Sequence, residues 1–124
     1  MEIVSTEKAP KALGPYSQAI KSGGFIFCSG QIPIDPAVNA VVATTIEDQT
    51  RQAITNLGNV LKAAGSSLAK VVKTTVFISD MNDFAALNGV YAELFGDAKP
   101  ARSCVQVARL PKDVKLEIEA IAEA

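Results

Sequence analysis

The sequence predicts an α+β fold in two layers, a mixed β-sheet with two helices on one face, in the order βββαβαββ. Three observations carry that prediction. Apolar residues recur at spacings of three and four from Ile46 to Ala64 and again from Phe84 to Phe95. β-Branched residues crowd Val71 to Ile78, and two stretches near the end alternate apolar and polar side chains with period two. The 124 residues, with 12 basic and 13 acidic side chains and a formal net charge of −1, fit one domain over residues 1–124. A chain of this length buries roughly two-thirds of the surface it exposes unfolded, so it needs no metal or disulfide to hold a core.

Ile3 and Val4 can open a strand, after which Pro10, Gly14 and Pro15 make residues 8–16 irregular up to Tyr16. Ala19 to Ser22, the pair Gly23-Gly24 and Phe25 to Ser29 read as a hairpin, because paired glycines supply the positive φ angles of a tight turn. Gly30, Pro33 and Pro36 then break the second strand. Thr45 is the expected N-cap of the first helix and Gly65 its stop, while Asp80 is the expected cap of the second, which Gly96 and Pro100 end. Arg102 to Ala108 and Val114 to Ala120 are half-polar strands joined through Leu110 to Asp113. They are expected to pair antiparallel and to put Arg102, Gln106 and Glu117 on one polar face. Strand 71–78, helix, strand 102–108 makes a parallel crossover. Phe25 to Cys28 and Val76 to Ile78 are apolar on both faces, so the face away from the helices also needs a cover, and a further copy of the chain is the natural one.

Composition excludes much chemistry. With no histidine there is no imidazole base, proton shuttle or metal ligand, which removes serine-histidine triads, histidine-pair ribonuclease chemistry and zinc-water hydrolysis. Cys28 and Cys104 are the two cysteines and form no pairing or metal motif, so a zinc or iron–sulfur site lacks ligands, a disulfide scaffold lacks bridges, and a reducing cytosol is the expected location. The near-neutral charge offers no field for phosphates, which makes nucleic acid an unexpected partner. Glu2 and Glu7 stand where an export signal would be basic, and no apolar run is long enough to span a membrane.

Several residues could carry chemistry. Arg102, beside the small Ser103, could present its planar fork to a carboxylate or phosphate, or simply pair with Glu117 or Glu119 at the surface. Glu117, between Leu116 and Ile118, could serve as a general acid or base if burial raises its pKa, or could be an ordinary outward strand residue. Tyr16 could offer a hydroxyl or act as a packing anchor; Gly30 could admit a close approach or end a strand. Cys104 lacks an activating base and reads as a structural thiol, Phe84 and Tyr91 fit the core stripe of their helix, and Asn88, off that stripe, reads as solvated.

These residues also resemble a family. Pro100-Ala-Arg-Ser-Cys-Val-Gln-Val-Ala-Arg-Leu110, Pro111, Lys112 and Leu116-Glu-Ile-Glu-Ala120 are similar to the C-terminal signature of the Rid family, the reactive-intermediate (enamine/imine) deaminases, formerly called YjgF or translation-inhibitor endoribonuclease proteins. Ala9, Pro10 and Gly14 to Gln18 resemble its N-terminal loop, and Ser29 to Pro33 its central turn. Asp80 to Phe84 with Asn88 and Tyr91 fit as well. The likeness spans essentially the whole chain and falls in the RidA subgroup. It implies a chorismate-mutase-like fold assembled as a homotrimer with clefts between subunits. The activity it implies is hydrolytic deamination of 2-aminoacrylate, 2-iminopropanoate and 2-iminobutanoate to 2-keto acids and ammonia, without cofactor or metal. By the same resemblance Arg102 would bind the substrate carboxylate, the backbone of Cys104 the imine nitrogen, and Glu117 the attacking water. Tyr16 and Gly30 would line the cleft, and Asn88 and Tyr91 would contribute to substrate binding. Two other readings stand beside this one: an endoribonuclease or translation inhibitor, and a trimer that binds small acids or acts as a chaperone without turnover.

Overall fold

A computed structural model describes residues 1–124. In chain order the elements are β1 (Glu2–Val4), β2 (Ala19–Ser22), β3 (Phe25–Gln31), β4 (Ile34–Asp35), β5 (Ala40–Val41), α1 (Ile46–Ala63), β6 (Val71–Ile78), α2 (Phe84–Phe95), β7 (Ala101–Gln106) and β8 (Leu116–Glu123). Six strands form one mixed sheet in the order β1-β2-β3-β8-β6-β7, in which β6 and β7 are parallel and every other pair is antiparallel. Leaving aside the two-residue β4–β5 ribbon, the order is the expected βββαβαββ, with the two helices on one face.

Local chemistry sets the boundaries. Gly23 and Gly24 take φ of 60° and 83°, as the two-residue hairpin between β2 and β3 requires. Thr45 caps α1 by accepting the Asp48 N–H at 3.1 Å, and Glu47 and Asp48 lie at the positive end of the helix dipole. Asp80 accepts the Asn82 N–H and so caps a short 3-10 turn, Met81–Asp83, that leads into α2, rather than capping α2 itself.

The core lies between the helices and the sheet. Ile54, Leu57, Val60 and Leu61 of α1 and Leu87 of α2 meet Ile26, Val76, Ile78, Leu116 and Ile118, all fully or almost fully buried. Each such side chain stabilises the fold by about 1.5–3 kcal/mol through the area it removes from water. Buried polar groups of α1 hold the neighbouring loops: Asn56 donates to the carbonyls of Ile32 and Ile34, and Gln49 donates to the Ala43 carbonyl while accepting the Lys115 N–H. Gln18 does the same for the N-terminal stretch. Its Oε1 accepts the Thr6 N–H at 2.7 Å, and its Nε2 donates to the carbonyls of Thr6 at 3.0 Å and Pro10 at 2.7 Å.

The expected pairing of the last two strands does not form. β8 lies between β3 and β6, and β7 pairs with β6 alone. The reason is burial: Leu116, Ile118, Ala120 and Ala122 all need cover and take a central place, whereas β7, mostly exposed, suits an edge. The loop between them passes over the end of β6, where Val107 donates to Ile78 and Ser79 to Lys115.

That arrangement also overturns the shared polar face. Thr74 and Arg102 are register partners, as are Val76 and Cys104, with side chains on the helix side; Phe77 and Glu117 are partners on the opposite side. Arg102 and Gln106 therefore lie on one face of the sheet and Glu117 on the other. The face away from the helices carries half-exposed apolar side chains, among them Phe25 at 41%, Phe27 at 45% and Val105 at 46%.

Candidate active site

On the helix side, three α2 residues at positions i, i+4 and i+7 converge on Arg102. Its Nη1 donates to Asn88 Oδ1 at 2.7 Å, and its guanidinium carbon lies 4.7 Å from the centre of the Tyr91 ring and 5.5 Å from that of Phe84. Stacking on aromatic faces stabilises the cation without using up its in-plane donors. The ion pairs of the structure are Arg51 with Glu93, joining the two helices, and Arg109 with Asp113. Arg102 belongs to neither pair, so the surface pairing with Glu117 or Glu119 does not form and the fork is open to an external anion. Asn88 is not solvated as its helical position suggested; it is part-buried and holds Arg102.

Cys104 lies two residues farther along β7, partly buried against the core. Burial pushes its thiol above the usual range, and the nearby Arg102 charge offsets only part of the rise. The sulfur stays protonated at neutral pH and is a poor nucleophile. As an edge strand, β7 leaves alternate backbone groups without ladder partners.

Across the sheet, Glu117 is half-buried beside Gly30, where the β3–β8 register shifts between Cys28 and Gln31. A β-carbon built on Gly30 would overlap the Glu117 carboxylate and stand 2.8 Å from its Cδ. Gly30 is thus a place kept clear for that carboxylate, and it lies within β3 rather than ending it. Desolvation, with the Glu119 charge as a smaller contribution, raises the Glu117 pKa above the ordinary carboxylate value. Gly30 and Tyr16 line one cleft of about 180 Å³, with Pro10, Lys11, Ile32 and Lys112 around it. Tyr16 is 54% exposed there.

Asn88, Tyr91, Arg102 and Cys104 thus gather on the helix side of the sheet, Gly30 and Glu117 meet on the other side, and Tyr16 shares a cleft with Gly30 that Glu117 does not line. The sequence reading missed two contributors. Phe84 lies over the guanidinium rather than only in the core, a place its spacing from Asn88 and Tyr91 allows, and Thr74, which bonds the Tyr91 hydroxyl, carries no signal inside a β-branched strand.

The chain is similar to proteins already known by sequence or structure. A family profile described as Endoribonuclease L-PSP matches residues 6–124. A RutC family protein of Pyrococcus horikoshii is 60% identical over 121 residues, covering 98% of this chain and 96% of its own. A protein of Salmonella typhimurium named 2-iminobutanoate/2-iminopropanoate deaminase is 51% identical over 122 residues, covering 96% of this chain and 94% of its own. The crystal structure of Escherichia coli TdcF with bound serine superimposes with a TM-score of 0.95 at 48% identity, over 100% of this chain and 99% of that one. With the profile, the relatives and the shared chorismate-mutase-like architecture in agreement, the chain belongs to the Rid (YjgF/RutC) family, which the matching profile describes as Endoribonuclease L-PSP.

Proposed function

We propose that the protein, a single RidA-like domain over residues 1–124, hydrolyses reactive 2-imino acids (2-iminopropanoate, its enamine tautomer 2-aminoacrylate, and 2-iminobutanoate) to 2-keto acids and ammonia, acting as a homotrimer in the cytoplasm. The observation that carries this reading is the unpaired Arg102 fork, stacked on Tyr91 and held by Asn88, in a chain whose opposite sheet face offers a carboxylate of raised pKa. A relative with bound serine supports it, since serine shares the α-carboxylate and α-nitrogen of a 2-imino acid.

Arg102 and Glu117 lie on opposite faces of one sheet, so one copy does not bring both to one substrate. Packing the half-apolar outer face of one copy against the β7 edge of the next supplies both halves to each intersubunit cleft. Two free cysteines suit a reducing compartment.

In such a cleft Arg102 receives the substrate carboxylate as a bidentate pair, and the Cys104 carbonyl accepts a hydrogen bond from the protonated imine nitrogen. Glu117 takes a proton from water as the oxygen adds to the imine carbon. The same carboxyl then returns that proton to nitrogen and, as a carboxylate, takes the hydroxyl proton while the carbon–nitrogen bond breaks, so that ammonia leaves, the keto group forms and the proton passes to solvent or to the departing ammonia. The raised pKa suits a group that must both accept and release a proton near neutrality, a role worth about 10²–10⁴ in rate. No group beyond the chain's own residues is needed. RNA cleavage fits less well, because the chain has no histidine and a net charge of −1.

The test is keto-acid formation from 2-aminoacrylate generated in place, with and without the protein, beside Glu117→Gln. Faster keto-acid release by the parent, and binding without turnover in the variant, are expected. Equal rates with and without protein would leave only a binder of small acids.

A further inference from the structure

Thr74 is fully buried on the helix side of β6, and its register partner across the parallel ladder is Arg102. Tyr91 spans this pair from α2. Its hydroxyl lies 2.7 Å from Thr74 Oγ1, and its ring lies under the Arg102 guanidinium at 4.7 Å. The ring also packs against Phe95, 4.4 Å between centroids and tilted by 33°. We infer that Thr74 is a positioning residue for Arg102, acting through Tyr91: the buried hydroxyl pair fixes the ring on which the guanidinium rests, and with it the direction in which the fork faces a substrate carboxylate. The inference rests on the deaminase reading for the identity of that carboxylate.

The geometry leaves the hydroxyl little other use. Thr74 is flanked on its face of β6 by Val76, and valine, its near-isostere, would fill the same core volume; the hydroxyl adds a bond to Tyr91 and nothing else. A buried hydroxyl without a partner costs free energy, so the pairing with Tyr91 is also what lets a threonine sit there. Arg102, for its part, is held by one hydrogen bond, from Nη1 to Asn88, and a planar group fixed at one point still swings about it. The Tyr91 ring removes that swing only if the ring itself is fixed, and its one polar tether ends on Thr74. A carboxylate that needs two parallel donors loses affinity when their plane is not set in advance.

The experiment compares the parent with Thr74→Val, Thr74→Ser and Tyr91→Phe. It measures steady-state hydrolysis of 2-iminobutanoate, equilibrium binding of the product acid 2-oxobutanoate, and Tm. Thr74→Val and Tyr91→Phe are each expected to raise KM and Kd about three- to tenfold, the worth of one hydrogen bond, with kcat within about twofold. Thr74→Ser, which keeps the hydroxyl, is expected to restore both constants to within about twofold of the parent. A Thr74→Val protein with lowered Tm but parental KM and Kd would show a purely structural threonine and overturn the inference. If that variant does not fold, Tyr91→Phe decides alone, since parental KM and Kd there would overturn it equally. A parent that binds 2-oxobutanoate without hydrolysing the imine would sink the deaminase reading, and the Kd comparison would still decide the role of Thr74.

Discussion

The two faces of the sheet handle a charged side chain in opposite ways. On the covered face α2 surrounds the Arg102 guanidinium with an amide-oxygen acceptor and two aromatic rings, so its position is fixed while its outer donors stay free. On the bare face Glu117 has no such partners; burial disfavours its charge, and its place is fixed by a missing side chain at Gly30. One face holds a group by contacts and the other by a gap. A binding group needs rigidity and a permanent charge, whereas an acid–base group needs a charge that is easily lost.

The largest effect expected from breaking this contrast is on the bare face. Glu117→Ala should lower kcat by about 10²–10⁴ while leaving keto-acid binding in place, measured by steady-state turnover and calorimetry. Breaking the covered face should act on binding: Arg102→Lys keeps the charge but loses the planar fork, and should raise KM roughly 10- to 100-fold. Because the halves are proposed to meet only between copies, exchanging Arg102→Ala and Glu117→Ala subunits in a 1:1 mixture should restore about a quarter of the parent activity, the share of clefts that pair the two intact halves. No recovery in exchanged trimers would mean that both groups act from one copy.

Gly30→Ala sharpens the contrast further. The added carbon displaces the far end of a flexible side chain, so Tm should change little while turnover falls about tenfold as the carboxylate moves. The pH dependence follows from the raised Glu117 pKa. The folded protein holds this proton more tightly than the unfolded chain does, so stability declines as pH rises from the ordinary carboxylate value through the raised one. Glu117→Gln should therefore raise Tm at pH 7 and give no gain at pH 4, even as it loses activity. The smallest effect belongs to Cys104→Ala, which keeps the backbone carbonyl and should retain activity within about twofold.

Much of this was legible in the sequence. The Ile46–Ala64 period, the Thr45 cap and the paired glycines each state a local rule, and each element formed where the rule put it. The double apolarity of Phe25–Cys28 foretold a face that the helices leave bare. What stayed hidden was non-local. Whether β8 pairs with β7 or slips between β3 and β6 depends on competition for burial across the sheet, and that choice decides whether Arg102 and Glu117 share a face. Asn88 misled for a related reason: its helical angle lies beside the core stripe, and only the parallel placement of β7 brings Arg102 to it.

Gln18 carries a consequence of another kind. The stretch from Thr6 to Pro10 forms no strand, yet one side chain bonds it at both ends, and Tyr16 follows a few residues later. A ladder frays one rung at a time, but here Gln18 holds both ends, Asn59 Nδ2 donates to the Lys8 carbonyl and Ala9 is buried in the core, so the segment releases as a unit. Local opening there exposes a whole peptide to a protease while the sheet beneath stays closed.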